Sequence, residues 1–93
     1  MVNGHVRLDG GAMFGVVPRV MWEKVAPPDE LNRIRLATRT LLAVHARAGR
    51  VVVVDTGTGS KWPPAQAERY GVESVPGALV KALSAVGASA DDV

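Results

Sequence analysis

The chain has 93 residues, enough for one small domain and no more. At 47% hydrophobic and 22% charged it is too apolar to be disordered, and its 4% aromatic content is too low for a base-stacking platform. Eleven basic against nine acidic side chains leave a formal charge of +2, a small excess that points to no nucleic-acid partner, and the absence of cysteine excludes disulfides, thiolate metal sites and a Cys nucleophile.

In chain order, Val6, Leu8, Met13, Phe14, Val16 and Val17 read as strand-like pieces around Asp9-Gly10-Gly11, a hairpin or a bent strand. Pro18 opens one or two helical turns that Pro27 and Pro28 stop, and a polar loop runs from Ala26 to about Asn32. Residues 33–47 fit two periods. Alternation puts Ile34, Leu36, Thr38, Thr40, Leu42, Val44 and Ala46 on one strand face, with Arg33, Arg35, Arg39, His45 and Arg47 opposite, whereas Ile34, Ala37, Leu41 and Val44 also fit a helix capped by Asp29. Ala48-Gly49-Arg50 is a turn signal, and Val51 to Val54 reads as a strand buried on both faces. The small-residue loop Asp55 to Ser60 follows. Then come two helices: Pro64 to Tyr70 with Gly71 as C-cap, and Val75 to Val86 with Ser74 as N-cap and Gly87 as C-cap. In the second, Leu79, Val80, Leu83 and Val86 form a stripe expected to lie on a sheet, and the tail from Ala88 leads toward a further strand.

The sharpest short motif is Asp55-Thr56-Gly57 after four valines. A carboxylate at the end of a buried strand, followed by a hydroxyl and a glycine, suits one half of a homodimeric aspartic protease, but the helices expected downstream replace that fold's flap and sheet. The plainer role is a cap: Asp55 accepting backbone N–H groups of its own loop. His5 and Asp9 share a strand face and His45 stands apart, too few ligands for a hydrolytic zinc. Gly57 and Gly59 bracket Thr58 without a phosphate-binding fingerprint. Arg33, Arg35, Arg39, Arg47 and Arg50 read as a solvated strand face rather than a nucleic-acid contact, since no aromatic interleaves them. No apolar run approaches the roughly 20 residues of a bilayer span, and the polar N-terminus is no signal peptide, so no membrane partner and a cytoplasmic location are expected.

At Leu8-Asp9-Gly10-Gly11-Ala12-Met13-Phe14-Gly15-Val16-Val17-Pro18, followed by Trp22 and Asn32-Arg33-Ile34, the chain resembles metallo-β-lactamase-fold hydrolases, specifically the lactonase-like branch associated with quorum quenching. The likeness continues through Val51 to Gly57, Lys61-Trp62 and Tyr70-Gly71 to Gly87. It implies an α+β fold: the N-terminal half of an αββα sandwich, with antiparallel strands, 33–47 paired with 51–55, and C-terminal helices on one face. It also implies that Asp55, Thr56 and Gly57 support a metal site from behind its ligands, and that Met13, Phe14 and Trp22 lie near a pocket mouth. The family's His-x-His-x-Asp-His metal motif would fall beyond Val93, so residues 1–93 are expected to be a partial domain truncated before it. Zinc is implied for the full-length family, where it activates water to cleave lactone or ester bonds. For this chain the expectations are no catalytic residue, no metal ligand, no bound cofactor and no activity alone. A complementing C-terminal segment, or self-association through exposed apolar surface, would complete it; a noncatalytic interaction module is the remaining alternative.

Overall fold

The computed structural model describes residues 1–93 as an α+β chain with two separate antiparallel sheets. Strand β1 (Val2–Asp9) pairs along its length with β2 (Arg33–Arg39), while β5 (Glu73–Ser74) joins its other edge at Gly4 and His5, giving the order β2-β1-β5. Opposed residues share a face in such a ladder, so Val6, Leu8, Ile34 and Leu36 form its apolar side. His5, Arg7, Arg33 and Arg35 form the polar side, the arginine alternation expected from sequence.

The first departure from the sequence reading is at Asp9-Gly10-Gly11, which makes no hairpin. Asp9 Oδ1 accepts the Ala12 N–H at 2.8 Å and caps a short helix, α1 (Gly10–Phe14), so Met13 and Phe14 are helical. Helix α2 (Arg19–Trp22) is a single turn, within the one or two expected after Pro18.

The second departure is at Thr40. The stretch 33–47 is extended, but it is two strands in two sheets rather than one strand paired with 51–55. The ladder with β1 ends where Met1 and Thr40 exchange backbone hydrogen bonds of 2.7 and 3.0 Å, and β3 (Leu41–His45) then pairs with β4 (Arg50–Val54). Thr40 is 2% exposed, pinned through both backbone and side chain. The connection Ala46–Ala48 is a turn of 3-10 helix whose last N–H is accepted by His45 Nδ1 at 3.0 Å, and Gly49 takes the left-handed conformation (φ 59°) that closes it.

The β4 valines are not buried on both faces. Val52 and Val54 are 53% and 55% exposed, because the β3–β4 ribbon has no layer on its outward side. Helix α3 (Pro64–Arg69) matches expectation and ends in the double hydrogen bond of a Schellman motif, with Gly71 at φ 50°. Helix α4 (Ala78–Ala85) starts later than expected. Ser74 lies in β5, and Gly77 (φ 73°) occupies the N-cap. Gly87 ends α4 through another Schellman motif, and Ala90–Asp92 forms a 3-10 turn with a Ser89–Asp92 capping box in place of the start of a strand. Of the α4 stripe, Leu83 is buried and Leu79 half-buried, while Val80 and Val86 are exposed.

Only six residues are buried: Gly4, Gly10, Trp22, Ile34, Thr40 and Leu83. The radius of gyration is 16.6 Å, against about 12 Å for a compact chain of this length. The accessible surface is 6684 Å², against about 5,200 Å² for a folded 9.8 kDa monomer. Apolar surface is therefore open, on the β3–β4 ribbon and along 16–25, where Val16 is fully exposed.

Candidate functional site

The loop that follows β4 is held in place from the sheet behind it. Asp55 takes a left-handed conformation (φ 64°), which Asp tolerates better than most residues, and its Oδ1 accepts the Gly57 N–H at 2.7 Å. This is the capping role read from the sequence. Gly57 (φ 78°) sits directly on the side-chain amide of Asn3, where an added Cβ would collide. That amide is fixed in turn: its Oδ1 accepts from Thr38 Oγ1 at 2.7 Å, and its Nδ2 donates to Thr40 Oγ1. Asn3, Thr38 and Thr40 thus form a polar platform at one end of the three-stranded sheet, and Asp55-Thr56-Gly57 rests on it.

Further along, Trp62 Nε1 donates to the Thr58 carbonyl at 2.9 Å and its ring meets Tyr70 edge-on at 6.0 Å, so the loop is also tied to the end of α3. Ser74 Oγ donates to the Gly59 carbonyl. Thr56 lines two shallow cavities, one of about 160 Å³ against Ser74 to Val80, the other along Gly57 to Trp62. Hydroxyls, backbone and apolar groups dominate both, and Lys61 is their one charged side chain. Such a lining offers hydrogen-bonding groups and apolar contact. It supplies no acid–base pair. Downstream of Gly57 the chain builds α3, β5 and α4 and no β-rich flap.

Met13, Phe14 and Trp22 lie elsewhere. The rings of Phe14 and Trp22 stack at 5.2 Å and 7°, with Trp22 only 3% exposed and its indole against Gly10, while Met13 is exposed. None of the three lines a cavity. Gly10 follows the C-terminal end of β1 and Asn3 stands at its start, so roughly 20 Å of strand separates this aromatic pair from the Asp55 loop. The structure does not bring the two sets together.

The histidines do not converge either. His5 stands opposite Glu73 in the sheet, and His45 is committed to its turn. No three of the chain's His, Asp and Glu side chains are grouped closely enough to hold a metal ion, so its own residues do not fit a zinc centre. No helix is long and apolar enough to cross a membrane.

The sequence reading missed a charged clamp on the polar sheet face. Asp29 Oδ1 accepts the backbone N–H groups of Leu31 and Arg33, and its Oδ2 accepts from Arg33 Nε at 2.9 Å, with Arg7 Nη1 at 3.7 Å. Arg33 Nη1 reaches on to the last carbonyls of α3, Glu68 and Arg69, at 3.1 and 2.7 Å. Partial burial pushes the Asp29 carboxyl up, but the donors from Arg33 and Leu31 outweigh it and hold it below the usual carboxylate range. Arg35 donates twice to Glu73, at 2.6 and 3.3 Å, and holds that carboxyl low, with His5 and Arg7 adding to the effect. Asp9 is lowered by the Ala12 N–H and by Asn32 Nδ2. An Asp-x-x-x-Arg spacing was visible as Asp29 and Arg33, but only the fold shows that the guanidinium also caps α3.

No family model matches the chain, and no curated protein matches it. Among solved structures, the chain is similar to the crystal structure of a probable metal-dependent hydrolase from Staphylococcus aureus, at 32% identity and a TM-score of 0.83. The match takes in 99% of this chain and 33% of that one, so the chain spans about a third of the length of that neighbour. The chain is thus similar, over nearly its whole length, to one third of a probable metal-dependent hydrolase.

Proposed function

We propose that these 93 residues are the N-terminal portion of a metallo-β-lactamase-fold hydrolase of the lactonase-like kind, inactive alone. The observation that carries this reading is the likeness to one third of a probable metal-dependent hydrolase, at 32% identity over 99% of the chain. The open apolar surface agrees with it, since a sandwich layer lacking its counterpart leaves such faces uncovered. In this reading the metal, zinc, is held by residues outside the chain. Asp55, Thr56 and Gly57, fixed on the Asn3 platform, brace that centre from behind, and Met13 and Phe14 lie toward the substrate entrance, with Trp22 beneath them. The bond cleaved is a lactone or ester.

The test is complementation. The chain is mixed with a second polypeptide carrying the remaining two thirds of the Staphylococcus aureus neighbour, and lactone hydrolysis is followed with and without zinc. Zinc-dependent hydrolysis only in the mixture supports the reading; failure of the two polypeptides to associate, or association without hydrolysis, sinks it. Calorimetric zinc titration of the chain alone is a second check. A stoichiometric submicromolar site, lost in the His5→Ala/His45→Ala variant, would refute the placement of all ligands outside the chain.

A further inference from the structure

One cleft of this molecule holds more cations than its own acids satisfy. It lies where the polar face of β1 and β2 meets the end of α3, and has a volume of about 320 Å³. Arg7, Arg33 and Arg69 line it together with Asp9, Leu31 and Tyr70. We propose that this cleft is a binding site for a small organic anion, whose phosphate or carboxylate group is held between Arg7 and Arg69 and whose carbon skeleton lies against Leu31 and Tyr70. The inference goes beyond the hydrolase reading and does not rest on it.

Two of the guanidiniums are placed without being partnered. The stem of Arg7 lies on Gly71, where an added Cβ would collide, and the Arg7 N–H donates to the Tyr70 carbonyl at 2.7 Å, so this side chain is held against the end of α3. It is only 30% exposed, yet its guanidinium makes no hydrogen bond. The nearest acid, Asp29, stands 3.7 Å away, and both oxygens of that carboxylate already accept from Leu31 and Arg33. Arg69 lies over the Tyr70 ring at 5.6 Å and has no acidic partner. Arg33 is committed to Asp29, and its bonds to the carbonyls of Glu68 and Arg69 keep the end of α3 at the cleft. Asp9, the one acid in the lining, accepts from the Ala12 N–H and from Asn32, while Glu30 and Glu68 line the neighbouring hollow. With Asp29 included, three cations face two acids, which leaves one positive charge over. Half-buried donors without an acceptor, set beside like charges, are costly, and an oxyanion relieves both conditions because it accepts from a planar guanidinium two bonds at a time. Leu31, 63% exposed, and Tyr70 give the cleft an apolar wall, which an organic anion covers and a bare inorganic ion does not.

The experiment is calorimetric titration of the full 93-residue chain with phenyl phosphate and, separately, with benzoate, which share a ring and differ in the oxyanion; circular dichroism checks the folding of every variant. At least one of the two is expected to bind with a Kd below about 5 mM, and the tighter names the oxyanion. The ringless counterparts, inorganic phosphate and acetate, should bind more weakly than the probes they match. Arg7→Gln, which keeps the stem on Gly71, and Arg69→Gln are each expected to raise the Kd about tenfold. Arg47→Gln, in the turn between β3 and β4, removes the same charge and should leave the Kd unchanged. If Arg7→Gln fails to fold, Arg69→Gln at its exposed position still decides the matter. Neither probe binding below that concentration overturns the proposal. So does an unchanged affinity in Arg69→Gln, an equal loss in Arg47→Gln, or a ringless ion that binds as tightly as its ring-bearing counterpart.

Discussion

Gly57 lies face-on against the side-chain amide of Asn3, so the loop after β4 is positioned by a residue on the first strand, 54 positions earlier. The contact is open only to glycine, for two independent reasons. Its φ of 78° is in the left-handed region, and any Cβ would overlap an amide that Thr38 and Thr40 hold in place.

Gly57→Ala is therefore expected to cost about 2–3 kcal/mol, as conformational strain and steric overlap add. Gly49→Ala isolates the first term. Its φ is 59° and nothing lies within 4 Å of the new Cβ, so about 1 kcal/mol is expected there. Urea denaturation of both variants checks the difference. Equal midpoints would show that Asn3 gives way.

Arg33→Lys keeps the charge and loses the fork that joins Asp29 to the carbonyls of Glu68 and Arg69. We expect a loss of about 1–2 kcal/mol in global stability. Hydrogen exchange in α3 should rise more than in β1 or β2, because the Arg69 carbonyl loses its donor and that of Glu68 keeps only the Gly71 N–H. Uniform acceleration across the chain would contradict the clamp.

Trp22→Ala removes the largest buried side chain of a core that has few, and is expected to cost about 3–5 kcal/mol, most of the stability of so small a domain. Phe14→Leu keeps the apolar contact and loses the stack, at about 1 kcal/mol. Thermal melting monitored by circular dichroism distinguishes the two. A Trp22→Ala variant that melts like the native chain would place the core elsewhere.

Acid should destabilise the fold through carboxylates held low by their partners: Asp9 by the Ala12 N–H, Asp29 by Arg33, Glu73 by Arg35 and Asp92 by Ser89. Their folded values lie below the unfolded ones, so the stabilisation is fully present above the ordinary carboxylate range. It fades as the pH falls from about 5 through the depressed folded values. Melting temperatures from pH 7 to pH 2 should decline in that window, and Glu73→Gln should flatten part of the decline. An unchanged melting temperature down to pH 2 would contradict the assignment.

Composition and local pattern carried a good deal by themselves. The lack of cysteine, the Pro64 and Gly71 that bound α3, the Gly87 that ends α4 and the alternation of arginines along 33–39 all act over a few residues, where steric and hydrogen-bonding rules are local. The Asp55 cap was legible for the same reason: its partner is two residues away. Where alternatives were locally equivalent, only the tertiary structure decided. Asp9-Gly10-Gly11 suits a hairpin as well as a helix start, and packing of Trp22 on Gly10 goes with the helix. An uninterrupted alternation from 33 to 47 contains no signal that the chain changes sheets at Thr40. That break is set by where β1 ceases to offer a partner and β4 begins to, and pairing between distant strands depends on backbone groups that every residue possesses. For the same reason the sequence marked Val51 to Val54 as apolar but could not tell a strand covered on both faces from one left half open: hydrophobicity belongs to the residue, and burial to whatever packs against it.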